Sequence, residues 1–117
     1  MSQNEKIEKG QDSYIDDRGE ILNYYLENKI NHVGLINSTK GSVRGNHYHP
    51  EQIQSCLLIK GSYLSVTKNL NIEKAPIETR LIKAGDISII KENIAHTMVF
   101  LEESIFINLV DGERAHE

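Results

Sequence analysis

The chain has 117 residues, the size of one domain with one core, and its 38% hydrophobic and 26% charged residues fall in the globular range rather than the disordered or fibrous one. A net charge of -4 with acids and bases interspersed leaves no basic face for a phosphate backbone, which excludes nucleic acid as an expected partner. The single cysteine, Cys56, excludes an internal disulfide and a one-chain cysteine cluster, so any metal must rest on nitrogen and oxygen.

Residues 1–12 open the chain with polar and charged side chains, lack the apolar stretch of a secretory signal, and are expected to fray. No run approaches the roughly 18 apolar residues of a membrane helix, and a cytoplasmic protein with no membrane partner is expected. From there the sequence breaks into short runs of Ile, Val, Leu, Tyr and Thr between Gly, Asn, Asp and Lys, with no sustained helical period. Strands are expected near Glu20–Glu27, His32–Asn37, Ser42–His49, Ile53–Lys60, Ser62–Lys68, Ile77–Lys83, Asp86–Ile90, Ala95–Leu101 and Ile105–Val110. Lys60-Gly61-Ser62 reads as a tight hairpin and Lys83-Ala84-Gly85-Asp86 as a second turn, with Gly85 supplying positive φ. Pro50 and Pro76 fall in the intervening loops, where no ladder donor is lost. So many short strands without a helix imply an all-β sandwich, jelly roll or barrel.

Residues i and i+2 of a strand share a face, so His47 and His49 present two imidazoles together, with Gly45 leaving room beside them. After the turn at Pro50, Gln54, Cys56 and Leu58 share a side, and Gln54 can approach the same point. His96 falls on a face with Ile94, Met98 and Phe100 and should look into an apolar interior, where a polar ring needs a partner worth on the order of 1–3 kcal/mol. Three imidazoles and a carboxamide, His47, His49, Gln54 and His96, form a reasonable ligand set for a divalent Zn, Ni, Fe or Mn ion with a position open for water or substrate. Cys56 reads as a small buried core residue.

The run from Gly41 to Gly61 resembles the first cupin motif: glycine, five residues, His-x-His, a short gap, an acidic ligand, six residues, glycine, with Gln54 in place of the glutamate. Gly85 to His96 is similar to the second motif in its opening glycine and its histidine, while Lys91, Asn93 and Phe100 depart from it. The resemblance implies a cupin double-stranded β-helix, a jelly-roll barrel, over residues 13–117, and a homodimer. The exchange of glutamate for Gln54 removes one negative charge from the site. Asp16-Asp17-Arg18-Gly19 and Arg44-Gly45-Asn46-His47-Tyr48-His49 are similar to cupins that epimerise or isomerise nucleotide-linked keto-sugars for surface polysaccharides. In those enzymes a histidine matching His47 or His49 removes a proton beside a carbonyl and an arginine matching Arg44 meets substrate or phosphate. Some ketoisomerases of that group share the His-x-His-x4-Gln spacing, lack the later histidine and use no metal; His96 tips this chain toward metal.

Such chemistry needs a base near pH 7, which histidine supplies, and an acid on the opposite side of the sugar, for which Tyr48, Tyr25 and Tyr63 are candidates. On a regular strand Tyr48 and Arg44 point away from His47, so both roles require a β-bulge or a loop. A histidine that ligates an ion is not at the same time a free base, and with metal bound the proton transfer passes to tyrosine, Glu51 or water. The expected function is that of a metal-binding isomerase or epimerase acting on a sugar, sugar nucleotide or uronate. The alternatives are a metal-dependent dioxygenase and a non-catalytic sugar-binding or sensing module.

Overall fold

The structure, a computed structural model, describes residues 4–47 and 53–111. Among these residues there are eleven strands and no helix: β1 (Glu5–Lys9), β2 (Gln11–Asp16), β3 (Gly19–Asn23), β4 (His32–Ser38), β5 (Val43–His47), β6 (Ile53–Lys60), β7 (Ser62–Asn69), β8 (Glu78–Lys83), β9 (Asp86–Ile90), β10 (Ile94–Phe100) and β11 (Ser104–Asp111). A five-stranded sheet runs β1-β9-β6-β11-β4, a four-stranded sheet runs β5-β10-β7-β8, and β2-β3 stand as a hairpin of their own; every pairing is antiparallel.

The two larger sheets face each other across one core. Cys56, Leu58 and Phe106 come from the five-stranded sheet and Tyr63, Ile82, Met98 and Phe100 from the four-stranded one. Phe100 stacks on Phe106 with centroids 5.7 Å apart and meets Tyr63 at 5.2 Å. Strict alternation puts Tyr63, Ser65 and Thr67 of β7, and Ile94, His96, Met98 and Phe100 of β10, on the buried face.

The tight turn after β6 depends on Gly61, at φ +97: a Cβ there would overlap Ser104 Oγ and lie 2.7 Å from the Glu103 carbonyl oxygen. Gly85, at φ +94, turns the chain from β8 into β9 as expected.

The opening segment departs from expectation. Residues 5–9, expected to fray with the rest of 1–12, are strand β1, paired residue for residue with β9 from Glu5 opposite Ile90 to Lys9 opposite Asp86. Its low hydrophobicity concealed it: an edge strand takes part of its stabilisation from ladder hydrogen bonds and a salt bridge, Lys9 Nζ to Asp86 Oδ1 at 2.8 Å, rather than from apolar burial. The strand expected at Glu20–Glu27 is instead the second arm of the β2-β3 hairpin and ends at Asn23. The Asp16–Gly19 segment forms that hairpin's turn. Asp16 accepts from the Arg18 backbone N–H at 2.9 Å and from its guanidinium at 2.6 and 3.0 Å, and this pairing holds the Asp16 carboxyl below the usual carboxylate range. The segment between β3 and β4 carries Tyr24, whose hydroxyl donates to the Gly85 carbonyl at 2.5 Å and pins the crossing to the five-stranded sheet.

Candidate active site at one end of the barrel

The site begins with an irregularity in β5. His47 is the register partner of His96, but Thr97 pairs with Gly45, so Asn46 is skipped and the strand carries a β-bulge. Gly45 sits at φ +86, the left-handed geometry such a bulge requires. Arg44 then pairs with Met98, two residues along β10 from His96 and on the same buried face. The bulge demanded by a joint role for Arg44 and His47 is therefore present. The glycine is also needed for space: a Cβ at position 45 would lie 2.7 Å from the His96 carbonyl oxygen and 3.5 Å from its Nδ1.

His96 is 6% exposed and shares its inward face with Ile94, Met98 and Phe100, as the alternation requires. On the facing sheet one rung runs Glu5–Ile90–Gln54–Val110–His32 across β1, β9, β6, β11 and β4. Val110 in that rung is fully buried, so Gln54 belongs to the inner face together with Cys56 and Leu58. The structure thus brings His96 and Gln54 to facing sheets at the same end of the barrel, with position 47 in register beside His96. Tyr48 and His49 lie outside the described residues, and no three His, Cys, Asp or Glu side chains converge among the described ones.

Arg44 reaches the neighbouring sheet. Its Nε donates to Ser38 Oγ at 2.6 Å and its Nη2 to the Asn37 carbonyl at 2.9 Å, tying β5 to the end of β4. Of the tyrosines weighed as acids, Tyr25 is exposed and donates to Asp12 Oδ2 at 2.8 Å at the base of the hairpin. Tyr63 lies in the core two rungs from His96 and donates to Cys56 Sγ at 3.5 Å. Neither stands beside His96.

A polar cluster that residue spacing did not single out lies just below. Ser65 and Ser88 both donate to Glu5 Oε2, at 2.6 and 2.5 Å, and Asn4 Nδ2 donates to Thr67 Oγ1 at 3.2 Å, all with buried side chains. Part of the signal was legible, since Ser65 and Thr67 continue the inward face of Tyr63 in an expected strand. The other part, Asn4 and Glu5, arrives on a strand that was not expected. Beside it a cleft of about 830 Å³ opens along β1, lined by Glu5, Tyr25, Ile53, Arg80, Ile89 and Lys91 among others.

Burial pushes the Cys56 thiol up to about 12 from 9.0, and the same desolvation raises Tyr63 well above 10.0. Between pH 9 and 12 the unfolded chain gives up the Cys56 proton while the folded chain keeps it, so stability falls as pH rises, by about 1.4 kcal/mol per unit from this group. Chemical denaturation at pH 8, 9.5 and 10.5 should show that decline, and Cys56 should resist thiol reagents until the protein unfolds. A Cys56→Ala variant should lose less stability over the same range.

No protein-family model matches the chain, and no curated protein matches it in sequence. Solved structures do match in shape. A dTDP-4-dehydrorhamnose 3,5-epimerase from Sulfolobus tokodaii superposes with a TM-score of 0.85 at 20% identity, over 99% of this chain and 74% of that one. A histidine-to-asparagine variant of a 3,4-ketoisomerase from Thermoanaerobacterium thermosaccharolyticum, in complex with TDP-4-keto-6-deoxyglucose, superposes at 0.77 and 19% identity over 100% of this chain and 86% of that one. An epimerase from Legionella pneumophila in complex with dTDP-4-keto-L-rhamnose gives 0.81 and 17% over 97% of this chain and 71% of that one. Antiparallel sheets packed around one core, with these likenesses, give the chain the cupin-type jelly-roll fold that those solved structures share.

Proposed function

We propose that the chain is a cytoplasmic sugar-nucleotide epimerase or ketoisomerase that moves a proton next to a sugar carbonyl. The observation that carries this reading is the Gly45–Asn46 bulge, which sets His47 in register with His96 at the end of the barrel where Gln54 stands on the facing sheet. The two matched enzymes crystallised with 4-keto sugar nucleotides support the substrate class. His47 or His49 takes the proton from the carbon beside the carbonyl, and Tyr48 returns one from the other side. Arg44, fixed by Ser38 and Asn37, keeps Nη1 for a phosphate oxygen and holds β5 in place. The test is proton exchange: incubated in D2O with a TDP-4-keto-6-deoxy sugar, the protein should put deuterium on the carbon next to the carbonyl, and no exchange at any ring carbon means the reading is wrong.

A divalent ion, Zn, Ni, Fe or Mn, on His47, His49, Gln54 and His96 is the competing arrangement of the same site, in which these histidines are ligands and the proton transfer passes to tyrosine, Glu51 or water. The His96 imidazole and the Gln54 carboxamide, on facing inner surfaces, are nitrogen and oxygen donors of the type those ions take. Bound there, an ion supplies polarisation of the sugar carbonyl.

The homodimer belongs to the same proposal. On the outer face of the five-stranded sheet Val33 pairs with Leu109 and Leu35 with Ile107, and Leu35 is 70% exposed. The hairpin β2-β3 pairs with no other strand among the described residues and exposes Tyr14, Ile15 and Ile21, although a lone two-stranded hairpin is only marginally stable in water. A second copy covers both surfaces. Sedimentation should give a dimer for the native chain at micromolar concentration and a monomer for Leu35→Glu; a native monomer overturns this part.

A further inference from the structure

We propose that Asn108 is a catalytic residue: its carboxamide donates to the sugar carbonyl oxygen and holds the negative charge that collects there when the proton leaves. The inference rests on the sugar-nucleotide reading above and adds the group that faces the base. Asn108 lies on β11 between Phe106 and Val110, which are 3% and 1% exposed, and alternation gives it their inward face. Unlike them it is half-buried, and its side chain makes no hydrogen bond to another described residue. Its ladder partners are Cys56 on one side and Gly34 on the other. A Cβ at position 34 would meet Asn108 Cβ at 3.8 Å and His32 Cε1 and Ile36 Cδ1 at 3.9 Å, all ordinary contacts, so packing does not demand a glycine. Nor does the backbone, since Gly34 is outside the left-handed region. A mid-strand glycine under neither constraint marks a place where a ligand comes close to the chain.

The Asn108 rung faces the site. Phe106 stacks on Phe100 across the core, and β10 and β11 climb together from the short turn that joins them, so Asn108 stands opposite Met98 and Val110 opposite His96. Two residues along a strand span about 6.6 Å and stacked sheets lie about 10 Å apart, which sets the carboxamide one rung from the His47–His96 pair and across the interior from it. β4 and β5 are the edge strands on this side, and no ladder joins them among the described residues, so the Gly34–Asn108 rung is reached from that edge. When His47 or His49 takes the proton, the C–H bond pair becomes a carbon–carbon double bond and the carbonyl π pair moves onto oxygen, while the proton stays on the imidazole. Returning a proton to carbon reverses both shifts. The oxygen needs a donor already in place. Ser65 and Ser88 give their hydroxyls to Glu5 and Tyr63 gives its own to Cys56, whereas the Asn108 carboxamide brings two uncommitted N–H groups.

The experiment is proton exchange in D2O on a TDP-4-keto-6-deoxy sugar by the native protein, Asn108→Asp and Asn108→Leu, with kcat, KM and the thermal midpoint measured for each. Both variants keep the approximate size of the side chain, and leucine beside Phe106 and Val110 should leave the midpoint unchanged or higher. In both, kcat should fall by about 10²–10³, the usual worth of one such donor, with KM within about threefold of native. A residue that only packed would tolerate leucine, and one that only accepted from a sugar hydroxyl would tolerate aspartate. A kcat within about threefold of native in either variant, or a loss confined to KM, overturns the role of Asn108 while the sugar-nucleotide reading stands. A native protein that exchanges no ring proton overturns that reading and the inference with it.

Discussion

Gly45→Ala should cost about 2–4 kcal/mol of stability and lower the melting midpoint by about 10 °C. Two penalties add. An alanine at φ +86 pays on the order of 1 kcal/mol for the left-handed conformation, and its Cβ would press on the His96 carbonyl oxygen at 2.7 Å, backbone against which nothing flexible can yield. β5 or β10 must then shift, and the shift falls on the pairing that sets His47 opposite His96. Gly41 separates the two penalties: it sits at φ +84 with nothing within 4 Å of the point a methyl group would occupy, so Gly41→Ala should pay the conformational part alone. Scanning calorimetry on both variants measures the difference. A Gly45→Ala protein that melts within 2 °C of the native one, or no lower than Gly41→Ala, would show that the bulge is not under the constraint described.

His47→Asn should reduce kcat for proton exchange on a TDP-4-keto-6-deoxy sugar by about 10²–10⁴, the usual worth of a positioned general base. Asparagine keeps polarity and approximate size, so folding should survive and a melting curve will verify it. The variant also separates the two roles open to this histidine. If position 47 holds an ion, protein purified without a histidine tag carries near-stoichiometric metal and the variant loses it. If position 47 is a free base, the variant keeps KM and loses kcat, with no change in metal content. Exchange within threefold of the native rate would remove His47 from the mechanism.

Strands β4, β7 and β10 were legible because each alternates between more and less buried positions, a pattern local in sequence. β10 shows it best: the set Ile94, His96, Met98 and Phe100 read as one face and is one buried face. The turns at Gly61 and Gly85 were legible for the same local reason, since only glycine takes those backbone angles at no steric cost. β1 was not legible. Glu5–Lys9 alternates charge with little hydrophobicity, and its place is set by β9, some 80 residues away, which only pairing can reveal.

The site divides along the same line. Residue types and spacings alone determined that His96 faces an apolar interior and that Cys56 is a core residue. Tertiary structure decided the rest: the skipped Asn46 that lets Arg44 and His47 both pair with inward-facing residues, the capture of the Arg44 guanidinium by Ser38 and Asn37, and the delivery of Glu5 to Ser65 and Ser88 from two different sheets. The physical reason is range. Alternation and turn chemistry act between neighbours in the chain, whereas a bulge, an inter-sheet hydrogen bond and a buried carboxylate exist only once distant strands have closed around a common interior.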